Sequence, residues 1–322
     1  MRSTLKTSLF LLLLLPCFSN AQSSRTVSPL QVTGTQLSDA SGQAVSLYGM
    51  SFGWSCFHPR FYTKLAVKWM KDDWKVNVVR AAMGIEPDDG YLKNPHGNIQ
   101  RVETVVDAAI AEGLYVIIDW HSHNVFTKEA VYFFDSMSKK YGQYPNLIYE
   151  IFNEPTRDQS WKEVKDYAVE LISTIRKNDP DNIILVGNPE WDQRIDLVQQ
   201  DPIKDVTNIM YTVHFYAGTH KQWLRDRTDE AIRNGIPVFI SESAGMEASG
   251  DGKIDDVEWK KYIDWIVKNK LSWISWSVSD KEESCSVLLK SASSTGNWKI
   301  SDLRESGIKT RQYLRQLAES KE

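Results

Sequence analysis

The sequence runs to 322 residues, 42% hydrophobic, 25% charged and 11% aromatic, with 12 tryptophans and a formal charge of −4. Apolar and aromatic residues run through it without low-complexity tracts, which excludes disordered, collagenous and coiled-coil proteins. The length fits two ordinary domains or one large α/β barrel, and the acidic balance offers no basic face to nucleic acid or anionic lipid.

Residues 1–21 read as a targeting segment. Arg2 and Lys6 make a positive start, Leu9 to Leu15 an apolar run, and Ser19-Asn20-Ala21 a small-residue cleavage site. The run falls short of the roughly 20 apolar residues that cross a bilayer. A soluble, secreted chain is expected, not bound to membranes, its formal charge falling from −4 to −6 as Arg2 and Lys6 are removed. Cys17 leaves with the segment, so Cys56 and Cys285 remain as an even pair in an oxidising compartment.

Leu30 to Ser46 alternates around Asp39 and Gly42, which predicts a hairpin. Eight short apolar, β-branched runs follow, each read as a buried strand: Val45–Tyr48, Val76–Val79, Tyr115–Ile118, Leu147–Phe152, Ile183–Val186, Ile209–Val213, Val238–Ile240 and Trp273–Trp276. Helical periodicity covers Lys64–Asp73, Ile99–Glu112, Lys128–Tyr141, Trp161–Lys177, Ile195–Gln200, Trp223–Asn234, Val257–Lys268 and Ser306–Glu319. Eight strand–helix units without a linker predict a single-domain (β/α)8 TIM barrel over residues 22–322, its bottom plugged by the hairpin. A doubly wound sheet would carry a Gly-x-Gly-x-x-Gly turn after a strand, and none occurs.

In a barrel the chemistry gathers at the C-terminal strand ends. Arg80, Asp119-Trp120-His121, Asn153-Glu154-Pro155, His214-Phe215-Tyr216, Glu242 and Trp276 all fall there. Glu154 and Glu242 close the fourth and seventh strands, on opposite sides of an eight-membered ring, so two carboxylates are placed to flank one glycosidic bond. Aromatic side chains stack on the apolar faces of pyranose rings, which gives the tryptophans a task at such a cleft.

In these residues the sequence resembles glycoside hydrolase family 5, most of all its endo-β-1,4-glucanases. The resemblance rests on Ile151-Phe152-Asn153-Glu154-Pro155, on His214-Phe215-Tyr216, and on the run from Trp276 to Glu283. It implies Glu154 as acid/base and Glu242 as nucleophile, with Asn153 on the sugar 2-hydroxyl. It also implies substrate contacts from Arg80, His121, Trp191, His214, Tyr216, Trp276, Lys281 and Glu283. The implied activity is a retaining endo-β-1,4-glucanase that needs no metal or cofactor, acts on a β-1,4-linked polysaccharide and works as a monomer. Xylanases, xyloglucanases and mannanases share the carboxylate pair, and a non-catalytic glycan-binding barrel is the reading from another class. Arg80 and Tyr216 are expected to steady Glu242, and the acid Glu154, sharing the cleft with an anion, is expected to have a raised pKa.

Two departures from the family stand out: Ser243 follows the nucleophile where an aromatic is common, and Phe57 replaces a platform tryptophan that Trp54 could substitute for. Asp119-Trp120-His121-Ser122-His123 also fits the start of a metal-dependent hydrolase barrel, but too few further ligands converge on it, and His123 is taken as a loop residue. Cys56 and Cys285 follow the first and eighth barrel strands, neighbours once a barrel closes, so a disulfide across that seam is expected.

Overall fold

The computed structural model describes residues 27–320; the expected targeting segment lies outside them. A hairpin opens the fold, with β1 (Leu30–Thr33) and β2 (Gln36–Asp39) paired antiparallel. Eight parallel strands follow: β3 (Tyr48–Phe52), β4 (Val78–Gly84), β5 (Tyr115–His121), β6 (Leu147–Glu150), β7 (Ile183–Val186), β8 (Ile209–Tyr216), β9 (Val238–Ala244) and β10 (Trp273–Val278). They pair in chain order and β10 closes onto β3, with Trp273 opposite Tyr48. The chain is thus the expected (β/α)8 barrel. Leu30 and Leu37 of the hairpin, with Leu47, pack on Ile117, Ile148, Leu185, Phe239 and Ile274, the apolar layer at one end of the barrel. The hairpin is a stopper at the end away from the site.

Local chemistry sets the helix limits. The Asn94 side chain accepts from the Gly97 amide (3.0 Å) to start Pro95–Glu112, and Gly113 ends that helix at φ 68. Ser160 and Glu163 form a reciprocal cap before Trp161–Arg176. Among the described residues no helix is long and apolar enough to cross a membrane.

Several strands outrun their apolar sequence, whereas β6 stops at Glu150, short of the expected Phe152. β4 continues past Arg80 to Gly84, β5 includes Asp119 and His121, β8 includes His214 and Tyr216, and β9 includes Glu242. Arg80 therefore lies mid-strand inside the barrel, not at a strand terminus as the sequence reading had it.

Trp74, Trp259 and Trp265 are buried and Trp69 packs against the same core. Trp259 lies flat on Gly245, where an added Cβ would come within 2.2 Å of its ring. In place of an aromatic after Glu242, Ser243 accepts from the Trp273 indole at 2.6 Å.

The expected Cys56–Cys285 disulfide is not formed: both are buried free thiols. Their strands are neighbours, but the loop after β10 folds toward the β9 side. The Cys285 amide donates to the Gly250 carbonyl (2.9 Å) and its thiol to Glu283 (3.3 Å), whereas Cys56 sits against Gly84 of β4.

Candidate active site

Arg80 organises the mouth of the barrel. Its Nε and Nη2 donate to the two oxygens of Glu150 (2.6 and 3.2 Å), Nη1 donates to Glu242 Oε2 (2.9 Å), and Nη2 also reaches Asn153 Oδ1 (2.6 Å) and Asp119 Oδ2 (3.0 Å). Burial opposes its charge, but Asp119, Glu150 and Glu242 more than restore it and push its pKa above the usual arginine range. In return Arg80 overcomes the burial of Glu150 and pulls that carboxyl down to about 2. Tyr216 donates to the other Glu242 oxygen, Oε1, at 2.8 Å. The nucleophile candidate is thus held on both oxygens.

Asn153 spends its carbonyl on Arg80 and keeps a buried amide nitrogen without a partner. Buried donors are normally satisfied, so this one is free for a substrate hydroxyl. His121 donates from Nδ1 to Asp119 Oδ2 (2.7 Å), an oxygen that already accepts from Arg80. Burial and the Arg80 charge push its pKa down to about 3, so the ring is neutral and leaves Nε2 available.

Glu154 is clasped by two histidines. His214 Nδ1 is 2.9 Å from Oε1 and His123 Nε2 3.3 Å from Oε2. Burial alone would raise Glu154, but the hydrogen bonds from His123 and His214 outweigh it and hold the carboxyl below its usual range. The expected raised pKa is therefore not found. Burial would lower His214, yet the Asp192 charge, the nearby Glu150 carboxylate and the hydrogen bond to Glu154 hold it well above the ordinary histidine value. The two form a pair sharing a proton that rests on the imidazole, and Glu154 is the member that reaches the cleft, with 14% side-chain exposure against 1%.

His123 belongs to the site, not merely to a loop. Burial pushes it down, but the hydrogen bond and charge of Glu154 hold it above the ordinary 6.5. Stability from that pairing is full below about pH 6.5 and is lost as pH rises through the raised value. Melting temperatures of wild type and His123→Gln should therefore converge on the alkaline side; a gap that widens with pH would contradict the pairing.

Trp276 stacks on His121 with rings 5.0 Å apart and 3° from parallel, and Trp54 meets His121 edge-on at 4.3 Å. Phe57 lies beyond Trp54, largely exposed. On the other flank a cavity of about 390 Å³ is lined by His123, Glu154, Trp191, Gln193, His214 and Tyr216, among others. Lys281 and Glu283 form an ion pair with each other on the loop after β10, apart from the Arg80 network.

Sequence reading missed Glu150, a single acid inside an apolar run, and Asp192, which faces His214 from behind. Glu154, His214 and Glu242 place potential ligand atoms within 4.8 Å of one another. Since Arg80 and Tyr216 already hold both oxygens of Glu242, the arrangement suits a carboxylate pair and not a metal cage.

The sequence model of the family described as cellulase (glycosyl hydrolase family 5) matches residues 38–282. The chain belongs to glycosyl hydrolase family 5. Endoglucanase Z of Dickeya dadantii is 44% identical over 274 residues, covering 84% of this chain and 63% of the relative. An endoglucanase of Clostridium saccharobutylicum is 40% identical over 285 residues, covering 87% and 63%. The chain thus spans somewhat under two thirds of these relatives' length. Among solved structures, a protein of Cytophaga hutchinsonii superposes with a TM-score of 0.89 at 43% identity, covering 91% of this chain and 96% of that one. The catalytic domain of a Thermobifida fusca endoglucanase, solved with cellotetraose, superposes at 0.83 with 34% identity, covering 89% and 97%.

Proposed function

We propose that this family 5 barrel is a secreted, retaining endo-β-1,4-glucanase that hydrolyses cellulose or related β-glucans by double displacement. The observation that carries the reading is the carboxylate pair: an oxygen of Glu154 and one of Glu242 lie within 4.8 Å of each other. Retaining glycosidases set their carboxyls roughly 5 to 5.5 Å apart, whereas inverting ones need about 6.5 to 9.5 Å to admit a water. The endoglucanase names of the relatives and the cellotetraose bound to the Thermobifida neighbour support a β-1,4-glucan substrate. The composition of residues 1–21 supports export.

The chemistry follows from the contacts. Glu242, held by Arg80 and Tyr216, attacks the anomeric carbon; the glycosidic C–O bond breaks, and the leaving oxygen takes the proton of the Glu154–His214 pair through Glu154. Asn153 donates to the 2-hydroxyl. In the resulting ester Glu242 has lost its negative charge. Glu154 then removes a proton from water, whose oxygen attacks the same carbon and frees Glu242, and the pair regains its proton. Trp276 floors the reacting sugar, and Trp191 stacks on the leaving side.

Glu154→Ala should still form the glycosyl-enzyme from an aryl β-cellobioside with a good leaving group, then stall. Azide should restore turnover and yield the β-glycosyl azide. An α-azide, or full turnover on cellotetraose without azide, would remove Glu154 from this role.

A further inference from the structure

Behind the Glu154–His214 pair lies a buried acid that the reaction above does not use. After β7 the chain turns left-handed for three successive non-glycine residues, Glu190, Trp191 and Asp192, at φ 57, 58 and 61. L-residues avoid this region, so the surroundings must impose it. The Trp191 amide donates to the Pro155 carbonyl (2.8 Å), the Asn188 amide to Asp192 Oδ1 (2.6 Å), and the Asn188 side chain to the Thr212 carbonyl (2.7 Å). The turn delivers Trp191 to the cleft and Asp192 to the interior.

Asp192 is fully buried, and its Oδ2 stands 3.3 Å from His214 Nε2 with no hydrogen bond. Nε2 also faces Ser241 Oγ at 2.9 Å and Glu150 Oε1 at 3.7 Å, while Nδ1 faces Glu154. Glu242 and Asp119 act on the imidazole through space, His220 lies nearby on the cleft wall, and His123 sits beyond Glu154. Glu150, Asp119 and Glu242 are each paired with Arg80. Ser241 is neutral. Apart from Glu154 itself, Asp192 is the acid at this imidazole whose charge Arg80 does not take up.

We propose that Asp192 is a positioning residue for the acid/base: its carboxylate behind His214 keeps a proton on Nδ1, facing Glu154, and raises the proton affinity of the Glu154–His214 pair. The inference rests on Glu154 being the proton donor. A negative charge behind the ring favours each state in which the pair retains its proton, so the pair remains a donor to higher pH. The order of acid, imidazole and reacting group follows the logic by which a buried Asp orients a catalytic histidine. Burial pushes Asp192 itself upward, and the facing His214 charge opposes that push.

Asp192→Asn keeps an acceptor for the Asn188 amide and deletes the charge; Asp192→Ala deletes both. In each, the alkaline limb of kcat/KM against pH on cellotetraose should move down by about one unit or more, as expected for loss of a charge at this range. The acidic limb should stay in place. A purely structural Asp192 would lower activity and melting temperature alike while leaving the alkaline limb at its wild-type position, and that result overturns the proposal. A second arm needs no variant: histidine nitrogen NMR of the wild-type enzyme should show both His214 nitrogens protonated at neutral pH, and an unprotonated Nδ1 would also overturn it. Glu154→Gln separates the two readings. If it retains turnover, the proton-donor assignment fails; if it is inactive while the Asp192→Asn alkaline limb is unmoved, only the role of Asp192 fails.

Discussion

Glu242→Gln is expected to abolish hydrolysis while leaving oligosaccharide binding nearly intact. The substitution preserves shape: the amide oxygen can accept from Arg80, and Tyr216, which now donates to Oε1 at 2.8 Å, can turn its hydroxyl to accept from the new NH2 group. Arg80 keeps Glu150 and Asp119 as charge partners, so the scaffold around the site should hold. What disappears is the nucleophile. Loss of the nucleophile in a covalent enzyme costs about four or more orders of magnitude in turnover. The check is single-turnover kinetics on an aryl β-cellobioside beside calorimetric binding of cellotetraose. Hydrolysis at the wild-type rate would sink the assignment of Glu242, and loss of binding together with turnover would point to a collapsed cleft.

Arg80→Met should unfold the site as well as silence it. The guanidinium is fully buried and meets Glu150, Glu242 and Asp119 at 2.6, 2.9 and 3.0 Å. Removing one partner from a buried ionic cluster leaves uncompensated charge and costs about 3 to 5 kcal/mol. Arg80→Lys restores the charge but not the planar fork, and an ammonium cannot serve Glu150 on two edges and still reach Glu242 and Asn153. Urea unfolding should therefore rank wild type above Lys and Lys above Met, with both variants severely impaired in turnover. Wild-type stability in the Met variant would mean that the cluster takes up protons to compensate.

The barrel was legible because its strands are buried on both faces and therefore read as unbroken apolar runs. Their ends were not: β4, β5, β8 and β9 run on past their apolar sequence, whereas β6 stops at Glu150 while the apolar run continues to Phe152. Arg80, Asp119, His214 and Glu242 looked like terminators, yet they sit on strands, where Arg80 pairs with both Asp119 and Glu242. Glu150 was hidden for the opposite reason, as one acid inside Leu147–Phe152 whose partner lies 70 positions away. Asp192 was out of reach because nothing in Pro189-Glu190-Trp191-Asp192 signals a left-handed turn without glycine. Neighbouring strands suggested the Cys56–Cys285 bond, but strand adjacency does not say which way the loop after β10 leaves the sheet. The proton of the acid/base was misjudged because the two histidines clasping Glu154 come from separate strand ends, and only the fold brings them together.

The closing pair of the barrel, β10 on β3, joins the two extremes of the barrel sequence. Contacts so remote in sequence form late, because loop closure must precede any return from them. On a ribosome the N-terminal strand therefore waits with an open edge until nearly everything else has emerged, and in that interval it is the segment most exposed to pairing with another chain. β10 also carries Trp276, which stacks on His121. Completion of the scaffold and completion of the sugar platform are thus a single event, so a chain that has not closed its seam has no partial cleft to offer.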